Sequence, residues 1–142
     1  MSLFANLFSS KPAQKPSHKN EVAFLIGVGN YEVEIIGAEH HQTALEAICG
    51  PRVPQGVNRF ETASLMREDG HLDNKTLVHV VIRGKRVGYL SPDAVLLYDQ
   101  QLKARGTPEA VGRCQAVIRG GWVSSDGRNG PYHVMLDIPN WS

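Results

Sequence analysis

The patterned part of the chain opens at Val22. Val22 to Ile26 is a short apolar run, Gly27 and Gly29 interrupt it, and Tyr31, Val33 and Ile35 then alternate with Glu32 and Glu34. Alternation of this kind predicts strand, with one face buried and one wet, so residues 22 to 37 read as strand-like throughout. Residues 43–49 (TALEAIC) predict a short helix, closed by Gly50 and Pro51. A loop, PRVPQGVN, follows. Residues 59–67 predict a strand, EDGHLDN a turn or loop, and residues 76–83 (TLVHVVIR) a second strand. Gly84 and Lys85 make a tight turn into Arg86 to Leu90, so these last two runs form a hairpin.

Ser91, Pro92 and Asp93 form a helix start: an N-cap hydroxyl, a proline at the first helical position and an acid in the first turn. Gly106 ends that helix. On its wheel Ala94, Val95, Leu97, Tyr98 and Leu102 share one arc and Leu96 falls outside it, the pattern of an amphipathic helix packed on a sheet. Two further strands follow from alternation, one around Cys114, Ala116 and Ile118 and one around Val134, Leu136 and Ile138. Five to seven short strands with one or two helices, in this order, predict an α+β fold built on a small, partly closed β-barrel. The chain shows no internal repeat, no alternating βαβ pattern and no glycine-rich phosphate loop.

A length of 142 residues suits one domain, with residues 1–20 as a flexible tail and 21–142 as the barrel. The formal charge is +1, but Lys11, Lys15 and Lys19 stand in the tail without an acid, so residues 21–142 carry −2. A protein that grips many duplex phosphates shows a basic excess, and this chain leaves room only for a local nucleic-acid site. Cys49 and Cys114, with no CxxC, write neither a disulfide framework nor a cysteine zinc site and read as buried thiols. Neither a secretory leader nor a membrane span is legible, which predicts a cytoplasmic protein with no membrane partner. In the tail, Leu3, Phe4, Leu7 and Phe8 would line one face of a short helix. They read either as a frayed end or as a docking element for a protein partner.

No GxSxG, SxxK or HExxH occurs, and no cofactor motif is present, so the chain reads as a non-enzymatic protein without cofactor. Adjacent His40 and His41 cannot point the same way on a regular element, which disfavours zinc. His79, between strand residues Leu77 and Val81, reads as a satisfied structural histidine, and Glu39, Asp69 and Asp73 as exposed acids. What remains is a set of polar and aromatic residues at strand ends: Glu39, His40 and His41, the loop from Asp69 to Asn74, then Tyr89 and Tyr132. Converged on one barrel rim, flat rings would stack a nucleobase and a carboxylate would accept a hydrogen bond from a sugar hydroxyl while repelling phosphate.

These residues carry a resemblance. The run from Gly37 to Ile48 (GAEHHQTALEAI), Asp69-Gly70-His71-Leu72-Asp73, the strand Leu77 to Ile82, Arg86-Val87-Gly88-Tyr89-Leu90 and Gly120-Gly121-Trp122 together resemble the HIRAN domain over about residues 23–138. That module occurs in helicase-like transcription factors of DNA-damage tolerance and as small stand-alone bacterial proteins. The resemblance implies an OB-like or SH3-like barrel of about six strands with two short helices, and recognition of the 3′ end of single-stranded DNA. Asp73 stands at the position of the aspartate that meets the 3′ hydroxyl. His40 and His41 fall where eukaryotic members have two tyrosines, and Glu39 where they have an arginine. Leu72 replaces the tyrosine of an Asn-Pro-Tyr-Asp signature, Tyr89 takes a position that is often histidine, and Tyr132 lies near a later aromatic. Tyr132 also shares strand parity with Val134 and Leu136, so a core cap is an equal alternative. The expected function is nucleic-acid end binding, with a protein-interaction module using the barrel and the LFANLF segment as the competing reading, and a hydrolase built on rim acids and histidines last.

Overall fold

The computed structural model describes residues 21–69 and 76–139. Among these residues seven strands and two helices occur in the order β1 (Val22–Leu25), β2 (Val33–Glu34), α1 (Gln42–Cys49), β3 (Val57–Asp69), β4 (Thr76–Ile82), β5 (Lys85–Tyr89), α2 (Pro92–Ala104), β6 (Val111–Gly120) and β7 (Tyr132–Asp137), with a 3-10 turn at Ala38–His40. Six strands run antiparallel in the order β2-β7-β6-β3-β4-β5, and β1 pairs parallel with β6. The two ends of this sheet meet where Ile36, just past β2, and Tyr89 of β5 exchange N–H···O bonds of 2.8 Å in each direction. The result is a curled, partly closed α+β barrel, as the alternating pattern predicts.

Burial follows that alternation. Val78, Val80 and Ile82 of β4, Cys114, Ala116 and Ile118 of β6, and Tyr132, Val134 and Leu136 of β7 all point into one core. Each fully buried aliphatic chain stabilises the fold by roughly 1.5–3 kcal/mol relative to exposure. Val117 departs from parity: it lies on the outer face of β6 yet is fully buried.

The expectation of strand from 22 to 37 is only partly met. Strand is confined to Val22–Leu25 and Val33–Glu34 because the intervening loop is tied down by a side chain at the end of β7: Gly29 N–H donates to both carboxylate oxygens of buried Asp137, at 3.0 and 3.1 Å. Tyr31 then takes φ 51, a left-handed conformation that no regular strand continues through.

α2 starts as its sequence dictates, with Ser91 accepting a hydrogen bond from Ala94 N–H at 3.2 Å and Pro92 in the first turn. Ala94, Tyr98 and Leu102 face the core, Val95 and Leu97 are half-buried, and Leu96 is exposed. Tyr98 bolts the helix to the sheet. Its hydroxyl donates to the Leu65 carbonyl at 3.0 Å and accepts from Gly112 N–H at 2.8 Å. Gln101 is buried as well, donating to the Pro139 carbonyl, a contact the apolar wheel does not register. Of the two cysteines Cys114 is buried, whereas Cys49, at the end of α1, is half-buried, so the expectation of two buried thiols holds for one of them.

Candidate nucleic-acid interface

Tyr89 is the hub. The β4–β5 hairpin turns through Arg83 and Gly84 with Ile82 opposite Lys85 and Val81 opposite Arg86; the register then slips by one residue, so Val80 faces Gly88 and His79 faces Tyr89. This bulge places the Tyr89 ring on the same face as His79, with ring centroids 5.1 Å apart. Across the barrel seam the 3-10 turn brings His41 edge-on to the same ring, at 6.3 Å and 71°. Gly37 permits that approach: it sits at φ 80, and a Cβ there would lie 2.8 Å from the Tyr89 ring. His41 and Tyr89, read separately from the sequence, are therefore neighbours, and Glu39 and His40 are exposed on the same turn.

His79 is 5% exposed, and its Nε2 has no hydrogen-bond partner. The Glu68 carboxylate is close, with Oε2 at 3.4 Å from Nε2 and 3.5 Å from Nη2 of Arg86. The 3.4 Å approach places opposite charges together when the imidazole is protonated, but its geometry makes no hydrogen bond. The expectation of a satisfied structural histidine is met for burial and not for satisfaction. An unpaired buried polar nitrogen is costly, on the order of 1–3 kcal/mol, and marks a place where a further partner would be favourable.

Beside Tyr89 a groove of ≈ 520 Å³ opens between the start of α2 and the β4–β5 hairpin, walled by Ile36, Leu77, Leu90, Val95 and Leu96 with Asp99 at its margin. Ile36, Leu77 and Leu96 are all substantially exposed in it. Thr76 also lines the groove, and it directly follows residues 70–75. Leu72 and Asp73 fall within those residues, outside the described structure. The cations of this edge are Arg86 and Lys85, both exposed. Arg86 shares the Glu68 carboxylate, and Arg67 is engaged by Asp99.

Tyr132 does not join them. Its ring is 1% exposed, its N–H donates to Gln42 Oε1 at 2.8 Å, and its carbonyl accepts from Gln42 Nε2 at 3.1 Å. The Arg52 guanidinium lies over the ring at 4.7 Å. A ring so enclosed has no face left for a base, and Tyr132 takes the core role rather than that of a ring contact.

Sequence reading missed His79, Glu68, Arg86 and the apolar groove. Gly88 was the available signal, since a glycine inside a strand suggests a bulge, and a bulge reassigns every side chain beyond it to the other face.

Elsewhere, burial first and the Asp137 charge second push the Cys114 thiol up to about 12, so it stays protonated. Among the described residues no group of three or more His, Cys, Asp or Glu is arranged to hold a metal ion, and no helix is long and apolar enough to cross a membrane. No family model, curated protein or solved structure matches the chain.

Proposed function

We propose that this chain is a non-enzymatic binding module for the 3′ end of a single DNA strand, as its resemblance to the HIRAN domain implies. The observation that carries the reading is the juxtaposition at Tyr89: a half-buried ring flanked by His41 and His79 at the mouth of an apolar groove. A base stacked there would gain about 1–3 kcal/mol. The segment bearing Asp73 leads directly into Thr76 of the groove, and a carboxylate at that position would accept a hydrogen bond from the terminal hydroxyl. Arg86 and Lys85 supply charge for one or two phosphates, while Glu39 opposes a longer backbone track. With −2 over residues 21–142, affinity would come from the strand end more than from the backbone, and its salt dependence would be shallow.

The test is fluorescence anisotropy with oligonucleotides that differ only in a 3′ hydroxyl or a 3′ phosphate. The hydroxyl end should bind more tightly, and Asp73→Ala should erase that preference. Equal binding of both ends, or none of either, overturns end recognition, and equal binding of the RNA counterpart overturns the restriction to DNA.

A further inference from the structure

A second exposed apolar surface lies away from the Tyr89 groove. Val22 and Phe24 project from the outer face of β1, and Ile26 and Val28, at 78% and 85% exposure, continue beyond it. Phe60 of β3 is exposed on the same outer face and meets Tyr31 edge-on at 5.5 Å. Between these ridges a recess of ≈ 260 Å³ is lined by Phe24, Ile26, Thr62, Arg113 and Gln115. Phe24 and Ile26 line that recess, and with Val22, Val28 and Phe60 they make five exposed apolar residues on β1, the stretch after it and β3, more than the scattered single residues of an ordinary surface. β1 adds a second feature: among the described strands it pairs only with β6, leaving its other edge open.

The chain that enters this surface at Val22 carries its own apolar cluster, Leu3, Phe4, Leu7 and Phe8. Thirteen residues, 9–21, separate Phe8 from Val22. A flexible chain of that length spans about 18–22 Å root-mean-square, whereas β1 and β3 flank β6 and lie about 10 Å apart. The tether therefore reaches every part of the patch. Such a tether holds its end at an effective concentration of about a millimolar, far above the micromolar level of a second copy in solution. Apolar character on both sides and this concentration advantage select one occupant.

We propose that Leu3, Phe4, Leu7 and Phe8 dock onto the Phe24–Ile26–Phe60 face of their own barrel, covering the open side of β1. The segment is then a built-in cover for an outer face of the barrel, and the Tyr89 groove remains available to ligand.

Paramagnetic broadening tests this on the full chain. A nitroxide is attached at Ala5→Cys in a Cys49→Ser background, where the buried Cys114 thiol stays unlabelled, and amide peak intensities are compared with the label oxidised and reduced. The same measurement on a chain with Leu3, Phe4, Leu7 and Phe8 all changed to Ser gives the attenuation due to tethering alone. Docking predicts loss of intensity at Ile26, Val28 and Phe60 beyond that baseline, unchanged on dilution. Equal attenuation by the two tails overturns the proposal, as does extra attenuation concentrated at Leu77, Tyr89 and Leu96. Attenuation that appears when a labelled, isotopically silent copy is mixed with an unlabelled, isotopically enriched one assigns the face to a second copy and overturns docking within one chain. Serine substitutions in the tail leave the barrel core intact, so dispersed amide peaks persist under every outcome.

Discussion

Tyr89 and Tyr132 are the two tyrosines that sequence alone offers as stacking surfaces, and the barrel treats them oppositely. Tyr132 begins β7 with both backbone groups and its ring spoken for: Gln42 ties its N–H and carbonyl, Arg52 covers the ring, and Gly121 comes so near that a Cβ there would lie 2.0 Å from it. Tyr89 ends β5 with its backbone engaged by Ile36, and its half-buried ring has the imidazoles of His41 and His79 and the Gly37 backbone beside it and a groove at its edge. One ring closes a core and the other borders a site. What separates them is how many neighbours have been recruited to the side chain, a property of tertiary packing that aromatic identity does not reveal.

The comparison breaks most sharply through stability. Tyr132→Ala empties a fully packed position and leaves the Arg52 guanidinium without its ring, so a loss of about 3–5 kcal/mol is expected in urea unfolding. Binding of a 3′-hydroxyl oligonucleotide by the molecules that remain folded should be unaltered. Loss of affinity without loss of stability would return Tyr132 to the site and remove the contrast.

Tyr89→Ala should do the reverse. Its ring is half-buried and its backbone bonds to Ile36 survive the change, so stability should fall by less than in the Tyr132 variant. Affinity for the oligonucleotide should drop by the value of one stacked base, about 1–3 kcal/mol, or roughly 5- to 150-fold. Unchanged affinity in an anisotropy titration would leave the groove without its proposed ligand.

The same contrast measures what the sequence made legible. Core strands were readable because the core residues of β4, β6 and β7 recur at every second position, with His79, Val117 and Asp137 buried outside that pattern, and α2 because Ser91, Pro92 and Asp93 spell its start. The loop after β1 was not, since its course depends on Asp137, more than a hundred residues away, holding Gly29. At the site, His41 and Tyr89 were found one by one because rings at strand ends attract notice in a sequence. Their contact was not foreseeable: it needs the bulge that brings Tyr89 opposite His79 and the seam at Ile36 that closes the barrel. His79 was misjudged for a related reason. Its flanking apolar residues correctly signal burial, but whether its Nε2 finds a partner is decided by Glu68 on the neighbouring strand.

A smaller effect is expected from Glu61, which like Tyr132 lies near enough to Cys49 for their charges to interact. Burial pushes the Glu61 carboxyl up, and hydrogen bonds from Arg59 at 2.6 Å and Arg83 at 2.9 Å outweigh it, so the group sits below its ordinary value. A carboxylate with a folded-state pKa below the unfolded one adds stability above the unfolded pKa, and that stability fades as pH falls through the folded value. Both arginines are substantially exposed, which reduces the pair energies, and Glu61→Gln should cost about 1 kcal/mol at pH 7. The difference between the two proteins should shrink in acid below the ordinary carboxylate range. A gap that stays constant with pH would mean that packing, not charge, accounts for the cost.

The thiols report the same packing with almost no energetic consequence. The Cys114 thiol, pushed up to about 12 by burial and then by the Asp137 charge, presents negligible thiolate at pH 8 and no surface to a reagent. Burial also raises Cys49, against the opposing charge of Arg59, but that residue is only half-buried. Alkylation of the native protein at pH 8 should therefore stop at one adduct per chain, on Cys49, with Cys114 modified only when denaturant opens the core. Because Cys49 and Tyr132 are near enough for their charges to interact, Tyr132→Ala should quicken the Cys49 reaction, and Tyr89→Ala should leave its rate unchanged. Equal acceleration by both substitutions would show that the two tyrosines belong to one packing unit after all.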